Sequence, residues 1–296
     1  MIIPSPLATV ARMTSVVYSN IDGQGIVQAL RDTVRARGLL WDLISKDIRA
    51  RYRNAVMGFV WAVLQPLLMM LVLYFVFGVV FNQRTPGGDG PQPHYAVVLL
   101  CGLIFWQFFA SCLSRATTSL IENADLIKKV YFPREIVPIA AMGNSVVNLA
   151  IGFAVLVVLQ LWLGGSIGVG LVWVAVIFAI QCMLQVGLAL LCSSLNVRFR
   201  DVGYTVEVAL MMGFYATPIF YSLADVQATA AGRPLLLKLY MLNPLVGLVT
   251  GYRTAFLDNT FPALSVIGWP VVCAAFTVVI GLVVFRRAAP TIADHL

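Results

Sequence analysis

The stretch that decides how this chain reads is "SLIENADLIKKVYFPREIVP", Ser119–Pro138. It packs two acids, two lysines, an Arg-Glu pair and two prolines between two long apolar runs. The rest of the chain is poor in charge. Of 296 residues, 60% are hydrophobic and 11% charged, and mean hydropathy is +0.89. A soluble domain carries about 25% charged residues. This chain lacks the polar groups to cover its surface, so lipid must solvate most of it. Apolar runs of about 20 residues give the same class.

Working outward from the island, six spans are expected: Met57–Phe81, Tyr95–Leu113, Ile136–Leu163, Val169–Leu195, Val202–Leu223 and Leu264–Phe285. Pro66 interrupts the first and Pro218 lies near the end of the fifth. Orientation follows from the basic residues. Arg12, Arg31, Arg35, Arg37, Lys46, Arg49, Arg51 and Arg53 precede the first span. Arg115, Lys128, Lys129 and Arg134 lie between spans two and three, Arg198 and Arg200 between four and five, and Arg286 and Arg287 after six. All fall on one side if both termini are cytoplasmic. The net charge of +7 therefore reads as membrane topology, and no nucleic-acid partner is expected.

The first run long enough to insert begins near Met57, which predicts an uncleaved first span behind a cytoplasmic N-terminal region. Residues 1–38 read as a weakly patterned arm, 39–287 as the transmembrane domain and 288–296 as a cytoplasmic tail. The stretch Leu235–Leu257 is apolar but cut by Asn243-Pro244. Asn is a good N-cap and Pro suits the first helical position. Two short helices are expected there, a non-spanning hairpin on the outer face.

Before the first span, Leu40, Leu43, Ile44, Ile48, Tyr52 and Ala55 share one helical face, and Asp42, Lys46, Arg49 and Arg53 the opposite one. Asp47 and Arg51 fall within the apolar face, spaced i, i+4 with the acid first. This predicts an amphipathic helix at the membrane surface, which serves lipid anchoring and protein docking equally well. In the island, Ser119 and Glu122 have capping-box spacing and Asn123 offers a second cap. A short helix from about Ile121 to Val130 is expected, ended by Pro133, with the third span starting at Arg134-Glu135.

Several chemistries are missing. No GxxxxGK[ST] occurs, so the chain has no P-loop for ATP. The five cysteines sit in apolar runs with no CxxC, and the two histidines, His94 and His295, lie in a loop and the tail. No catalytic residue, metal or bound cofactor is expected. Glu207 is the clear carboxylate within a span. An intramembrane acid is a functional candidate by default. So near the cytoplasmic end, a structural ion pair with Arg198 or Arg200 is the preferred reading over proton coupling.

Four motifs in this order resemble one family: "WDLISKDIRARYRNAVMGFVWAVLQPLL", "NADLIKKVYFPREIVP", "LNVRFRDV" and "YATPIFYS". Together they look like the membrane subunit of ABC-2-type polysaccharide exporters, which move O-antigen, capsular and teichoic-acid chains across the bacterial inner membrane. The resemblance runs from about Leu39 to Arg287. It implies an all-α membrane protein in which Trp41–Val56 is an interface helix, Ser119–Phe132 a coupling helix and Leu235–Leu257 a pair of gate helices. It implies a separate ATPase subunit, which holds ATP and Mg. Glu122, Asp125, Lys128, Lys129, Tyr131, Arg134, Asp47 and Arg51 are the residues expected to dock on it. It also implies a second copy of the chain, with lipid-linked glycan passing between the copies.

Sugar rings pack their C–H faces on aromatic rings, so Trp61, Tyr74, Phe77, Phe214, Tyr215 and Tyr221 are candidates for the path, against packing or an interfacial aromatic belt. Two other readings compete. An ABC-2 exporter of a small hydrophobic drug or lipid would use the same docking helices. An ion-driven secondary transporter would need more intramembrane charge than Glu207 offers.

Overall fold

A computed structural model of the chain describes residues 37–52, 58–81, 94–130 and 132–296. All regular structure among the described residues is helical. In chain order the helices are α1 (Arg37–Tyr52), α2 (Gly58–Leu73, continued by a π-helical stretch, Tyr74–Val80), α3 (Tyr95–Glu122), α4 (Ala124–Lys129), α5 (Ile136–Trp162), α6 (Gly170–Arg198), α7 (Asp201–Tyr215), α8 (Leu223–Thr229), α9 (Pro234–Met241), α10 (Pro244–Phe256) and α11 (Leu264–His295). The arm before residue 37 lies outside the described residues.

Among the described residues, five helical segments are long and apolar enough to cross a bilayer: Val60–Val80, Tyr95–Glu122, Ile136–Trp162, Gly170–Arg198 and Leu264–Ala293. They match five of the six expected spans. The expected fifth span, Val202–Leu223, is not one helix. α7 stops at Tyr215 after 15 residues, about 22 Å, short of the roughly 30 Å hydrocarbon layer. Pro218 has no N–H to continue a helix and disfavours helical backbone at Thr217. Thr217, Pro218 and Ile219 form a buried loop instead.

The break at Asn243-Pro244 is where the sequence puts it. The Asn243 side chain accepts a hydrogen bond from Leu245 N at 3.0 Å, and Pro244 opens α10. α9 and α10 meet at 80° and together are apolar enough to count as one broken crossing or a re-entrant loop. The pair is not wholly a surface hairpin. α9 buries no residue, whereas nine of the 13 residues of α10 are buried against α3, α6 and α11.

α3 is the centre of the bundle. Eighteen of its 28 residues are buried, whereas α7 buries only Val206. α6 and α11 cross closest where glycines meet. A Cβ on Gly281 would stand 2.2 Å from Gly187 O, and one on Gly187 would stand 2.4 Å from Thr277 C. Close helix approach in lipid needs small residues at such points. α11 runs past the expected tail boundary. Its last turns, through Arg286, Arg287 and Pro290 to His295, remain helical and bury Ile292.

Candidate functional site

The charged island closes one end of the bundle. α3 runs into it as far as Glu122, so the expected capping box is absent. Ser119 is buried and its Oγ donates to Ala116 O at 2.7 Å, while Glu122 Oε1 accepts from Thr118 Oγ1 at 2.7 Å. Both side chains serve the last turns of the span. Asn123 marks the break: its Nδ2 donates to Ser119 O at 2.9 Å, and its own carbonyl accepts from Leu126 N and Ile127 N.

α4 has six residues. A helix that short is not stable alone, since about 12 are needed even for good formers. Ile127 supplies the anchor. It is 5% exposed and packs in a cluster with Leu120 of α3, Val137 of α5, Leu190 and Val197 of α6, and Leu282, Phe285 and Ile292 of α11. Burying one such side chain contributes about 1.5–3 kcal/mol. Glu122, Asp125, Lys128 and Lys129 are exposed around it. The result is a short helix whose apolar side joins that cluster and whose charged side is exposed.

One of the expected docking residues makes a contact within the chain. Arg134 is half-buried and Nη1 donates to Ala289 O in the C-terminal part of α11. It ties α5 to α11. Tyr131 lies outside the described residues, as does the side chain of Arg51.

α1 rests on α5 beside the island. Leu40, Leu43, Ile44 and Ile48 are half-buried, and Asp42, Lys46 and Arg49 exposed, as the periodicity predicts. Asp47 is half-buried. The tight contact is Ile44 on Gly143, where a Cβ would stand 2.6 Å from Ile44 Cγ1.

Asn196, in the "LNVRFRDV" motif, ties three helices together at the same end. Its Nδ2 donates to Thr117 O at 3.0 Å and its Oδ1 accepts from Gly203 N at 2.9 Å. Sequence reasoning missed it, although an Asn within an apolar run is itself a signal of a buried polar tie. The expected pair of Glu207 with Arg198 or Arg200 does not form among the described residues. All three are exposed, and the Arg198 guanidinium stands 5.4 Å from the Phe199 ring centroid. Glu207 is seven residues along α7 from Arg200, about 10 Å of helix.

At the opposite end the loop after α7 is held by donors from α3, from α10 and from the N-cap of α10. Arg253 of α10 donates to Ile219 O at 2.6 Å, Tyr221 O at 3.0 Å and Val98 O at 3.4 Å. Tyr95 Oη donates to Phe220 O at 2.6 Å, and Asn243 Nδ2 to Ala216 O and Thr217 Oγ1. Non-helical backbone within an apolar layer persists only where protein groups satisfy it.

Five of the six expected path aromatics gather here. Phe77 stacks on Phe220 at 4.5 Å, and Phe214 and Tyr215 pack within 6.2 Å of the same ring. Tyr221 stands edge-on to Phe220 at 5.0 Å, and Tyr74 lies 6.2 Å from Tyr95. Phe214, Pro218 and Tyr221 do not share a helical face, because the helix ends before Pro218. Trp61 is apart, 53% exposed near the start of α2.

Comparison with known proteins fits this arrangement. Residues 38–257 match the family model described as ABC-2 type transporter. Over 241 residues the chain is 31% identical to the O-antigen export system permease protein RfbA of Myxococcus xanthus, covering 80% of this chain and 87% of that protein. It is 29% identical over 266 residues to a protein of the same name from Klebsiella pneumoniae, covering 88% of this chain and 96% of the relative. It is 22% identical over 248 residues to the polysialic acid transport protein KpsM of Escherichia coli, covering 82% and 91%. A membrane-spanning helical bundle with a short charged helix at one end, matched over most of its length, makes this chain a member of the ABC-2 type transporter family.

Proposed function

We propose that the chain is the permease subunit of an ATP-driven exporter that moves lipid-linked polysaccharide across the bacterial inner membrane, with O-antigen the favoured cargo. Relatives named for O-antigen export and polysialic acid transport support the cargo class. The observation that carries the mechanism is the lever α4. A separate ATPase subunit, which supplies ATP and Mg, docks on the exposed Glu122, Asp125, Lys128 and Lys129 and on the charged face of α1. When ATP closes that partner, the push enters at α4. Ile127 passes it to α3, α5, α6 and α11 together, because all four pack in one cluster.

This places the island, α1 and the end of α11 in the cytoplasm, with both termini inside. Two copies enclose the path. α7 supports that reading: Tyr204, Glu207, Met211 and Tyr215 are all exposed along it. An exposed acid on a helix at membrane depth belongs against water or protein, not lipid.

The test is genetic and biochemical. Deleting the gene should remove the surface polysaccharide and leave lipid-linked glycan inside the cell. Purified chain with its ATPase should move that glycan only with ATP. Intact surface glycan, with some other lipid or drug retained, would replace the cargo. Transport by the chain alone under an ion gradient would replace the mechanism.

A further inference from the structure

At the end opposite the island, the rings of Tyr221 and Tyr240 stand 6.5 Å apart with their planes tilted by 45°. They are two walls of a recess of about 660 Å³, lined also by Asp225, Arg233, Leu236 and Leu239. Small ligands occupy pockets of about 300–1,000 Å³. The ring positions are fixed by a relay: Tyr240 Oη donates to Tyr221 Oη at 3.3 Å, and Tyr221 Oη donates to Tyr215 O at 2.9 Å. Two rigid aromatic walls are held before any ligand arrives.

The polar groups are available. Asp225 Oδ2 accepts from Ser222 N and Oγ in the capping box of α8, which fixes the carboxylate and leaves Oδ1 without a partner among the described residues. The Arg233 guanidinium, at the start of α9, also has no partner among the described residues. One acid and one guanidinium leave the recess without net charge, which disfavours a polyanion. A purely apolar ligand would strip water from both ionic groups and give nothing back. A hydroxyl-rich ring satisfies every wall. Its C–H face packs on tyrosine, and its hydroxyls donate to a carboxylate and accept from a guanidinium.

We infer that this recess is a saccharide-binding site on the exit side of the molecule. Tyr221 and Tyr240 take the faces of a sugar unit, and Asp225 and Arg233 take its hydroxyls. The inference rests on the proposed function and deepens it. Three of these four residues lie outside every motif that carried the family resemblance.

The experiment uses Thr229→Cys, a residue lining the same recess, in cells that carry the whole transporter. The native cysteines are buried or half-buried. A membrane-impermeant maleimide should label Cys at this position from outside. Size-fractionated oligosaccharide, cut from the surface glycan of the same strain and added at millimolar concentration, should slow the labelling several-fold. Adding Tyr240→Ala or Arg233→Gln should abolish that protection without changing the rate in its absence. Tyr240→Phe, which keeps the ring but loses its bond to Tyr221, should retain part of it.

Absence of protection, in a strain whose surface glycan disappears when the gene is deleted, overturns the recess and leaves the proposed function standing. Failure to label from outside overturns the exit-side placement and the inference with it. Loss of protection in Tyr240→Phe as complete as in Tyr240→Ala overturns the stacking role. Surface glycan that survives deletion of the gene removes both readings.

Discussion

The Tyr252 hydroxyl donates to Gln181 Oε1 at 2.6 Å, deep in the bundle, where both residues are at most 2% exposed. Gln181 Nε2 in turn donates to Phe105 O at 3.0 Å, and the Phe105 ring stacks on that of Tyr252. Three helices, α3, α6 and α10, are joined by one amide. In a dry bundle such a bond is worth about 0.6–2 kcal/mol. Gln181→Leu should therefore lower the thermal stability of the detergent-purified protein by an amount of that order. Adding Tyr252→Phe should recover part of the loss, because the orphaned hydroxyl costs more than the missing bond. A double variant less stable than Gln181→Leu contradicts this account.

Arg253 holds the loop after α7 through two strong carbonyl bonds and a third, longer one. Arg253→Met should destabilise the protein by about 2–4 kcal/mol, since each buried acceptor left bare costs about 1–3. Arg253→Lys should rescue only in part, because an ammonium does not reproduce the planar fork. Limited proteolysis around Ala216–Ser222 reads the effect directly. A loop as resistant in Arg253→Met as in the parent contradicts the clamp.

Gly143 is where Ile44 of α1 meets α5. Gly143→Leu fills that contact and should lift α1 without unfolding the bundle. A cysteine pair placed across α1 and α5 should lose its cross-linking, and coupling to the ATPase should fall with it. Restoring room with Ile44→Ala in the same chain should return both.

Lys128 and Lys129 are exposed on the lever. Lys128→Glu together with Lys129→Glu should leave stability within about 0.5 kcal/mol of the parent, read from thermal melting. Assembly with the ATPase, or stimulation of its turnover, should be lost. Normal assembly and turnover would reduce these lysines to topology signals.

Arg134 behaves differently if its bond to Ala289 is structural. Arg134→Ala should destabilise the junction of α5 and α11 by about 1–3 kcal/mol. The partner should still bind the surviving folded fraction. Lost binding at unchanged stability would instead return Arg134 to the docking surface.

Much of this was legible along the chain. Apolar runs of bilayer length located five of the long helices, because no other element satisfies its own backbone in lipid. Asn243-Pro244 announced a helix start by local chemistry alone, and α1 carried its half-buried apolar face as a 3.6-residue period. The short lever was legible as an island of charge, though not its caps. Ser119 and Glu122 have the right spacing for a capping box, but spacing does not say that the preceding helix has already run through them.

The sequence by itself determined class, the positions of five spans and the place of the charged short helix, since these depend on hydropathy and on residues near one another in the chain. Tertiary structure decided the rest. It ended α7 at Tyr215, because distant donors on Arg253, Tyr95 and Asn243 make a non-helical loop affordable in an apolar layer. It set Arg134, expected on the docking surface, against the backbone of α11, and left Glu207 without its expected partner among the described residues. It also brought Tyr240, Asp225 and Arg233 to Tyr221. Those outcomes depend on which helix ends meet in space, and no local period records that.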